Sequence, residues 1–388
     1  MSKRFEYVLN FGPHHPSTHG VMRLALSLFG EEVRACEPDI GYLHRGVEKI
    51  VENKRFLSII PYIDRLDYLA PAIQEHAYVI SIEKILKISV PKRALIIRTI
   101  FDELSRISSH IMAIGSLAYD LGCLSLFLYG FEEREKIMDI FERTTGRRMH
   151  ISYYVPGGVF NDISDEITEM VRAFVDEIGF YIEAVEKLTL NNRIFEKRTR
   201  GIGIISSNMA MKYGISGVNL RASGISYDIR KLSSYGIYDL LEFEPITLTE
   251  GDCYARNKLR YLEMKQSLDI IRQSLNRLKP GMVFNSETFN ERRKWPAFKK
   301  FDYPLFPLNG ISLPKNIKIY SATESPRGEF GVHMFVEEAD QFKPYRMHFK
   351  SPSFANIQIL KSLLIGVKIP DINAIIGSLD FIMGCCDR

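Results

Sequence analysis

The segment Gly12-Pro13-His14-His15-Pro16-Ser17-Thr18-His19-Gly20 carries three histidines within six positions. His15 and His19 have the i, i+4 spacing of a helical zinc pair. Pro16 and Gly20 disfavour an uninterrupted helix, and no acidic residue stands between the two histidines. A turn between two strands fits these residues better, and there an imidazole could donate a hydrogen bond or a proton to a ligand. A metal site and a plain structural turn remain as alternatives.

Acidic and aromatic residues are mixed in the segment Tyr62-Ile63-Asp64-Arg65-Leu66-Asp67-Tyr68. On a helix, Asp64, Asp67 and Tyr68 would share one face, with Arg65 beside it. The simplest interpretation is a solvated face that is stabilised by i, i+3 pairs. A ligand-binding face is the functional alternative.

Asp120 is the only charged residue between Ile111 and Phe131. Because a bare buried carboxylate is very unfavourable, Asp120 must be solvated, paired or protonated. If it is buried and charged, a histidine or arginine partner is implied. The apolar stretch itself is long enough to span a bilayer, but its glycines and serines favour a helix buried inside the protein.

Two basic clusters complete the candidate residues, Leu43-His44-Arg45-Gly46 and Arg147-Arg148-Met149-His150. Each of them alone is more often structural than functional. The sequence has no phosphate-binding loop and no dinucleotide fingerprint. Pattern alone therefore predicts a globular protein with a constellation of His, Tyr and Asp residues.

The composition excludes several classes of protein. The chain has 388 residues, of which 46% are hydrophobic and 25% charged, as in folded globular proteins. A net charge of +4, from 51 basic and 47 acidic residues, is too even for a nucleic-acid-binding protein. The five cysteines form no CxxC motif, so the chain alone cannot build a cysteine-ligated zinc or iron–sulfur site. Their odd number and wide scatter favour a reducing compartment.

The candidate residues must be positioned by strands at both sequence ends and by helices between them. Residues 5–10 and 21–37 read as strands, with a turn at Gly30-Glu31. Residues 53–146 are helical in pattern, and one helix is predicted to begin at Ser89 as N-cap with Pro91 in its first turn.

The second half continues with two long amphipathic helices, over 165–199 and 254–278. Residues 315–338 predict a β-hairpin with its turn at Ser325-Pro326-Arg327-Gly328. Residues 286–314 show no clean period and are interpreted as a loop. The fold class is therefore α+β, a central helical bundle with antiparallel β-structure near the N-terminus and in the C-terminal third.

We expect one integrated domain with three parts. Residues 1–50 form an N-terminal β-subdomain, 51–280 the helical bundle and 281–388 a mixed α/β region. The N-terminal sequence lacks the features of a signal or transit peptide, so we expect the protein to work in the compartment where it is made.

The chain resembles the 49-kDa subunit family of respiratory complex I along nearly its whole length. The similarity is weakest at about 280–315. The collinear motifs include NFGPHHPSTHG (10–20), IGYLHRGVEK (40–49), PYIDRLDYL (61–69), HIMAIGSLAYDLG (110–122), GRRMHISYYVPGGV (146–159), ESPRGEFGV (324–332) and IIGSLDFIMGCCDR (375–388).

The family is in turn similar to the large subunit of nickel–iron hydrogenases, which implies a hydrogenase-like fold. Hydrogenases bind nickel through two CxxC pairs. Asp67 and Ala70 stand at the first pair, and Ile382 and Cys385 at the second. Because one thiolate cannot replace four soft ligands, no metal site is expected and a hydrogenase-like catalytic subunit is the disfavoured alternative.

The resemblance implies site residues one by one. His19 and Tyr68 are expected to bind the ubiquinone head group, with His15 in the same turn. Asp120 is expected to pair with the quinone-site histidine, so that His19, Tyr68 and Asp120 form the catalytic set. A further group, Arg45, Arg65 and His150, is expected to lie near the terminal 4Fe-4S cluster.

The implied activity is that of NADH:ubiquinone reductase, as a core subunit of the proton-pumping complex. The 4Fe-4S cluster would be ligated by the neighbouring small iron–sulfur subunit, with NAD and FMN on other subunits. The 30-kDa subunit and the quinone-channel membrane subunit are the other expected partners, without nucleic acid and without a transmembrane helix of the chain's own. The expected location is the matrix side of the mitochondrial inner membrane, or else the cytoplasmic face of a bacterial plasma membrane.

Overall fold

The computed structural model describes residues 6–13, 20–285, 316–337 and 343–388. The histidine-rich segment 14–19, which includes His15 and His19, lies outside the described residues, as does 286–314, which the sequence predicted to be a loop.

An antiparallel sheet forms the N-terminal part, with strands β1 (Glu6–Phe11), β2 (Arg23–Phe29) and β3 (Glu32–Asp39) in that order. Leu24, Leu26 and Leu28 of β2 are buried while alternate residues are less so, because successive side chains of a strand point to opposite faces. The predicted strands and their turn at Gly30-Glu31 are confirmed.

The first half of the bundle consists of α1 (Val47–Val51), α2 (Phe56–Ile63), α3 (Pro71–Leu86), α4 (Lys92–Asp120) and α5 (Leu124–Thr145). The central helix α4 packs against α3 and α5. Its predicted start was wrong, since Pro91 is extended and acts as N-cap. The Ser89 hydroxyl does not cap α4 and instead accepts a hydrogen bond from Asn285 Nδ2.

The apolar stretch 111–131 is two helices rather than the single buried helix expected. The chain breaks after Asp120, and Gly122 adopts a φ of 93° that favours glycine. Leu124 and Leu128, on α5, are 50% and 58% exposed. Among the described residues, no helix is both long and apolar enough to cross a membrane.

The second half of the bundle contains α6 (Asp165–Thr189), α7 (Arg193–Thr199) and α11 (Cys253–Arg277). The single helix predicted over 165–199 was wrong. The Asn192 side chain accepts hydrogen bonds from the main-chain N–H groups of Ile194 and Phe195 and so begins a new helix. Short helices lie between α7 and α11: α8 (Ser207–Tyr213), α9 (Gly217–Arg221), α10 (Ile229–Leu232) and a 3₁₀ turn (Tyr238–Leu240).

Antiparallel strands follow at two places. A short pair, β4 (Tyr154–Val155) and β5 (Gly158–Val159), encloses the turn Pro156-Gly157. The C-terminal sheet has the order β6 (Ile317–Ser325), β7 (Gly328–Val336) and β8 (Arg346–Lys350), and it confirms the predicted hairpin.

The chain ends in α12 (Pro352–Gln358), α13 (Leu360–Leu363), α14 (Ile369–Leu379) and α15 (Met383–Cys386). Helices packed with antiparallel sheets near both sequence ends confirm the α+β class. The β6–β7 hairpin packs against α3, and α14 packs against α4. This arrangement brings the turn after α2, the β6–β7 turn and the end of α14 to one place.

Candidate functional site

A buried arginine joins three distant parts of the chain. Arg327, in the β6–β7 turn, donates from Nη1 to both carboxylate oxygens of Asp67, at 2.9 and 3.2 Å, and to Ser109 Oγ at 2.9 Å. Its Nη2 lies 3.3 Å from Asp380 Oδ1. All three charged side chains are buried. One guanidinium therefore bridges two carboxylates that come from the turn after α2 and from the end of α14.

Close backbone packing places Arg327 at this point. Gly328 has a φ of 128°, and a side chain there would collide with Ser216 and Gly217. Asp380 follows α14 in the left-handed region, with a φ of 51°. The backbone at Gly328 allows the β6–β7 turn to pack closely, and the backbone at Asp380 redirects the chain after α14. Arg327 and Asp380 are thereby brought into contact.

The charges of this cluster oppose one another. Burial raises the pKa of Asp67, and the nearby Arg327 partly offsets this effect while Asp380 adds to it. For Arg327, the two carboxylates outweigh burial and raise the pKa of the guanidinium. Arg327 thus stays charged and is the main cation beside Asp67.

Tyr68 lies half-buried beside this cluster, in the turn that follows α2 rather than on the predicted helical face. Burial raises the pKa of its hydroxyl, with Arg327 and Arg45 opposing the shift and Asp67 adding to it. Tyr68 therefore keeps its proton at neutral pH and can donate a hydrogen bond to a ligand.

The predicted group Arg45, Arg65 and His150 comes together, although its members are far apart in sequence. Arg45 Nη2 donates to the carbonyl oxygens of Arg65 (3.1 Å) and Gly384 (3.3 Å). Arg65 Nη1 donates to Asp64 Oδ1 at 2.8 Å. His150 Nδ1 lies 3.3 Å from the carbonyl oxygen of Asp64, where a protonated Nδ1 would donate. The segment that carries Tyr68 is therefore held by all three residues.

The two arginines of this group form a positively charged surface above a buried acid. Arg45 is exposed and the Arg65 side chain is 42% exposed, whereas the Asp64 carboxyl is fully buried. Such an open cationic face can approach a negatively charged group on another molecule.

Asp120 ends α4 and is half-buried. Burial raises the pKa of its carboxyl to about 7. The carboxyl therefore changes charge near neutral pH. Its predicted partner, His19, lies outside the described residues, so this pairing stays a prediction.

The chain that flanks the histidine-rich segment can be placed at one end. Gly20 has a φ of 116°, and a side chain there would collide with Met383 of α15. In the same short helix, Gly384 lies against Leu66 and accepts the hydrogen bond from Arg45. Gly20 is thus close to the helix that supports the Arg45 side of the site.

The sequence matches the family described as "Respiratory-chain NADH dehydrogenase, 49 Kd subunit" over residues 120–388. A NADH-ubiquinone oxidoreductase 49 kDa subunit from Pylaiella littoralis is 41% identical, with 98% of this chain and 96% of the relative covered. An NADH-quinone oxidoreductase subunit from Rickettsia typhi is 42% identical, and the match covers 98% of both chains. The chain belongs to this 49-kDa subunit family.

The family membership confirms the resemblance on which the site residues were predicted. It does not account for Arg327 and Asp380, to which sequence reasoning gave no role in the site. A signal was present at Asp380, an acid in the otherwise uncharged segment Ile375–Cys386. Like Asp120, Asp380 is an acid in an apolar run and needs a partner, so the sequence could have indicated Asp380 as well.

The cysteines of this 49-kDa family member do not form a cluster. Cys385 is buried with its sulfur 3.0 Å from Ser351 Oγ, and burial raises the pKa of its thiol to about 12. Among the described residues, no group of three or more His, Cys, Asp and Glu side chains is arranged to hold a metal ion.

Proposed function

We propose that the chain is the core subunit of proton-pumping NADH:ubiquinone oxidoreductase in which ubiquinone is reduced. One observation carries this proposal. Arg45, Arg65 and His150, which the family resemblance associates with the terminal cluster, converge on the short segment that also carries Tyr68. An electron donor at this cationic face would therefore be close to a quinone at Tyr68.

The residues of the chain have distinct roles in this proposal. The Tyr68 hydroxyl, protonated at neutral pH, donates a hydrogen bond to the quinone head group from one side. In this proposal His19, together with His15, also binds the head group, and Asp120 stabilises the charged form of His19. Reduction of a quinone to a quinol takes up two protons, so donors next to its oxygens lower the barrier.

The group that supplies electrons belongs to a neighbouring subunit. In the proposal, a 4Fe-4S cluster held by the small iron–sulfur subunit would supply electrons one at a time. Arg45 and Arg65, next to His150, provide positive charge at the face that it would approach, which favours its reduced form. The chain ligates no cluster in this scheme, and NAD and FMN are bound by other subunits.

The relation to hydrogenases is supported by where the former ligand positions lie. Asp67 and Cys385 are close enough for the Asp67 charge to raise the pKa of the Cys385 thiol. Arg327 lies between Asp67 and Asp380 at the same place. We infer that Arg327 and its two acids occupy a former metal cavity, which leaves a single sulfur ligand and disfavours hydrogenase chemistry.

The partners and location follow from the same proposal. The cationic face meets the small iron–sulfur subunit, and the 30-kDa subunit and the quinone-channel membrane subunit complete the surroundings. The complex is placed in the mitochondrial inner membrane with this chain on the matrix side, the cytoplasmic face of a bacterial membrane being the alternative.

A photoreactive ubiquinone analogue tests the proposed site in the intact complex. We expect light-dependent labelling of the peptide that contains Leu66 to Ala70, and we expect excess ubiquinone to compete it away. Labelling that ubiquinone displaces but that lies entirely on other subunits would contradict the proposal.

A further inference from the structure

Two buried carboxyl groups lie on either side of one serine. Ser152 Oγ donates to Asp64 Oδ2 at 2.8 Å. The next two main-chain N–H groups, of Tyr153 and Tyr154, donate to Glu75 Oε2 at 2.8 and 3.0 Å. Asp64 and Glu75 are both fully buried. The segment 152–154 thus brings two acids together inside the protein.

Only one of the two acids is in contact with a cation. Asp64 Oδ1 accepts a hydrogen bond from Arg65. Glu75 forms no ion pair with any part of the chain that the structure describes, and its Oε1 has no hydrogen-bond partner there. Two ionised carboxylates with a single cation in the protein interior are strongly unfavourable. A proton on one of them removes this repulsion.

The serine between the acids is held in an unfavourable conformation. Ser152 has a φ of 42°, a left-handed value that residues with a side chain rarely adopt. Arg147 Nη1 lies 3.1 Å from Ser152 Oγ and donates to it, which leaves the hydroxyl hydrogen for Asp64. Because such a conformation persists only where the surroundings impose it, the contacts to both acids are built into the fold.

We propose that Asp64 and Glu75 share one proton and so form a buried proton-binding site directly behind Arg65 and His150. The proton resides mainly on Glu75, and Asp64 stays charged against Arg65. The two acids then titrate together, and each apparent pKa value describes the pair and not a single residue.

The electrostatics of the surroundings agree with this geometry. Burial raises the pKa of both acids, and the charge of Asp64 raises the pKa of Glu75 further. Arg65, His150 and Ser152 face Asp64 and partly offset its shift. Apart from Asp64, the main-chain N–H groups of residues 152–154 face Glu75 and lower its pKa, and the Glu75 charge in turn adds to the raised pKa of the Tyr154 hydroxyl.

Further in, the Tyr154 hydroxyl donates to Asp102 Oδ1, and Asp102 Oδ2 is paired with His76 Nδ1. Arg98, the next cation in this direction, is paired with Glu83 and not with Glu75. No cation from the inner side therefore compensates the Glu75 charge within the described residues.

The role of this site rests on the proposed function. An electron that arrives at the face formed by Arg65 and His150 adds negative charge, and negative charge favours protonation of nearby acids. The pair then takes up a second proton from solvent, which forms an O–H bond on Asp64, and that bond breaks and returns the proton to solvent when the electron passes to the quinone. Electron arrival and proton binding are linked in this way at acids other than the proposed quinone-binding residues.

Infrared spectroscopy of the intact oxidised complex tests the shared proton without any electron transfer. We expect a carboxylic acid C=O band at neutral pH that shifts in D₂O and that is lost, by the intensity of one group, in Glu75→Gln. Gln keeps the size of a protonated Glu. Glu52→Gln is the matched control, because Lys49 and Arg346 hold the pKa of Glu52 below its usual range and keep it ionised.

A second variant retains Glu75 and keeps the test independent of that substitution. In Asp64→Asn the repulsive charge is gone, so the Glu75 band should disappear at a lower pH than in the wild type. An acid band that Glu75→Gln leaves intact, or a titration that Asp64→Asn does not change, would overturn the proposal.

Reduced-minus-oxidised spectra separate the site from its proposed use. We expect an additional protonated carboxyl on reduction, which is absent in Asp64→Asn. A pH-dependent band without any response to reduction supports the shared proton and overturns only its link to the proposed function.

Discussion

Asp120 shows how one carboxyl can make the site sensitive to pH. Burial raises its pKa to about 7, so the group is mostly protonated below that pH and mostly charged above it. In the proposed function only the charged form stabilises a protonated His19. Quinone reduction should therefore fall in the wild type as the pH drops below about 7.

Asp120→Asn tests this interpretation, because an amide behaves like a carboxyl that is always protonated. We expect the variant to reduce quinone several-fold more slowly than the wild type at pH 8 and to lack the fall below pH 7. The measurement is the pH profile of NADH-driven quinone reduction by membranes. A variant that keeps the full wild-type pH profile would show that Asp120 is not the titrating group.

At the residue scale, the sequence alone indicated which kinds of residue could act, but not where those residues lie in the fold. Asp120 could be singled out because it is the only charged residue among apolar neighbours. The convergence of Arg45, Arg65 and His150 was predicted only through the family resemblance. Ser152 carries no sequence signal, since its importance lies in a backbone angle that the surrounding contacts impose.

At the element scale, Arg327 connects the β6–β7 turn with the turn after α2 and with the end of α14. Removing a buried partner leaves uncompensated charges, which typically costs about 3–5 kcal/mol. We expect Arg327→Met to reduce the amount of assembled complex and its thermal stability strongly. Because burial raises the pKa of Asp67, the loss should be larger at high pH, where Asp67 is ionised, than at low pH.

A surface arginine provides the control for this prediction. Arg346 is 53% exposed and pairs with Glu52 at 2.8 Å, an arrangement worth about 0–1 kcal/mol in water. Assembly on native gels and the temperature of half-inactivation should be nearly unchanged in Arg346→Met. Equal stability of the two variants would mean that Arg327 does not hold the three elements together.

The elements themselves were predictable where the cause is local. The alternating leucines before Gly30-Glu31 predicted β2 and the turn that follows it. The turn residues Pro326 and Arg327 predicted the β6–β7 hairpin. The failures lie at helix ends. Asn192 begins a new helix through its own side chain, and Ser89 bonds Asn285, almost 200 residues away, instead of capping α4. Which hydrogen-bond partner such a side chain takes depends on the folded structure and cannot be read from the local sequence.

At the scale of the whole molecule, the site lies where the two halves of the chain meet. Asp67 and Arg327 are separated by 260 positions, yet their side chains are 2.9 Å apart. Tyr68 follows Asp67 directly, and Arg65, on the other side, belongs to the cationic face. The account thus predicts a short path from an electron donor at that face to a quinone at Tyr68.

Tyr68→Phe in the intact complex tests this central claim most directly. The substitution removes one hydroxyl and little volume, so electron transfer from NADH to an artificial acceptor upstream of the quinone should stay at the wild-type rate. Tyr62→Phe, in the same segment, is the matched control. We expect ubiquinone reduction to fall by roughly 10²-fold in Tyr68→Phe alone. Wild-type turnover of ubiquinone in that variant would show that Tyr68 does not bind the quinone.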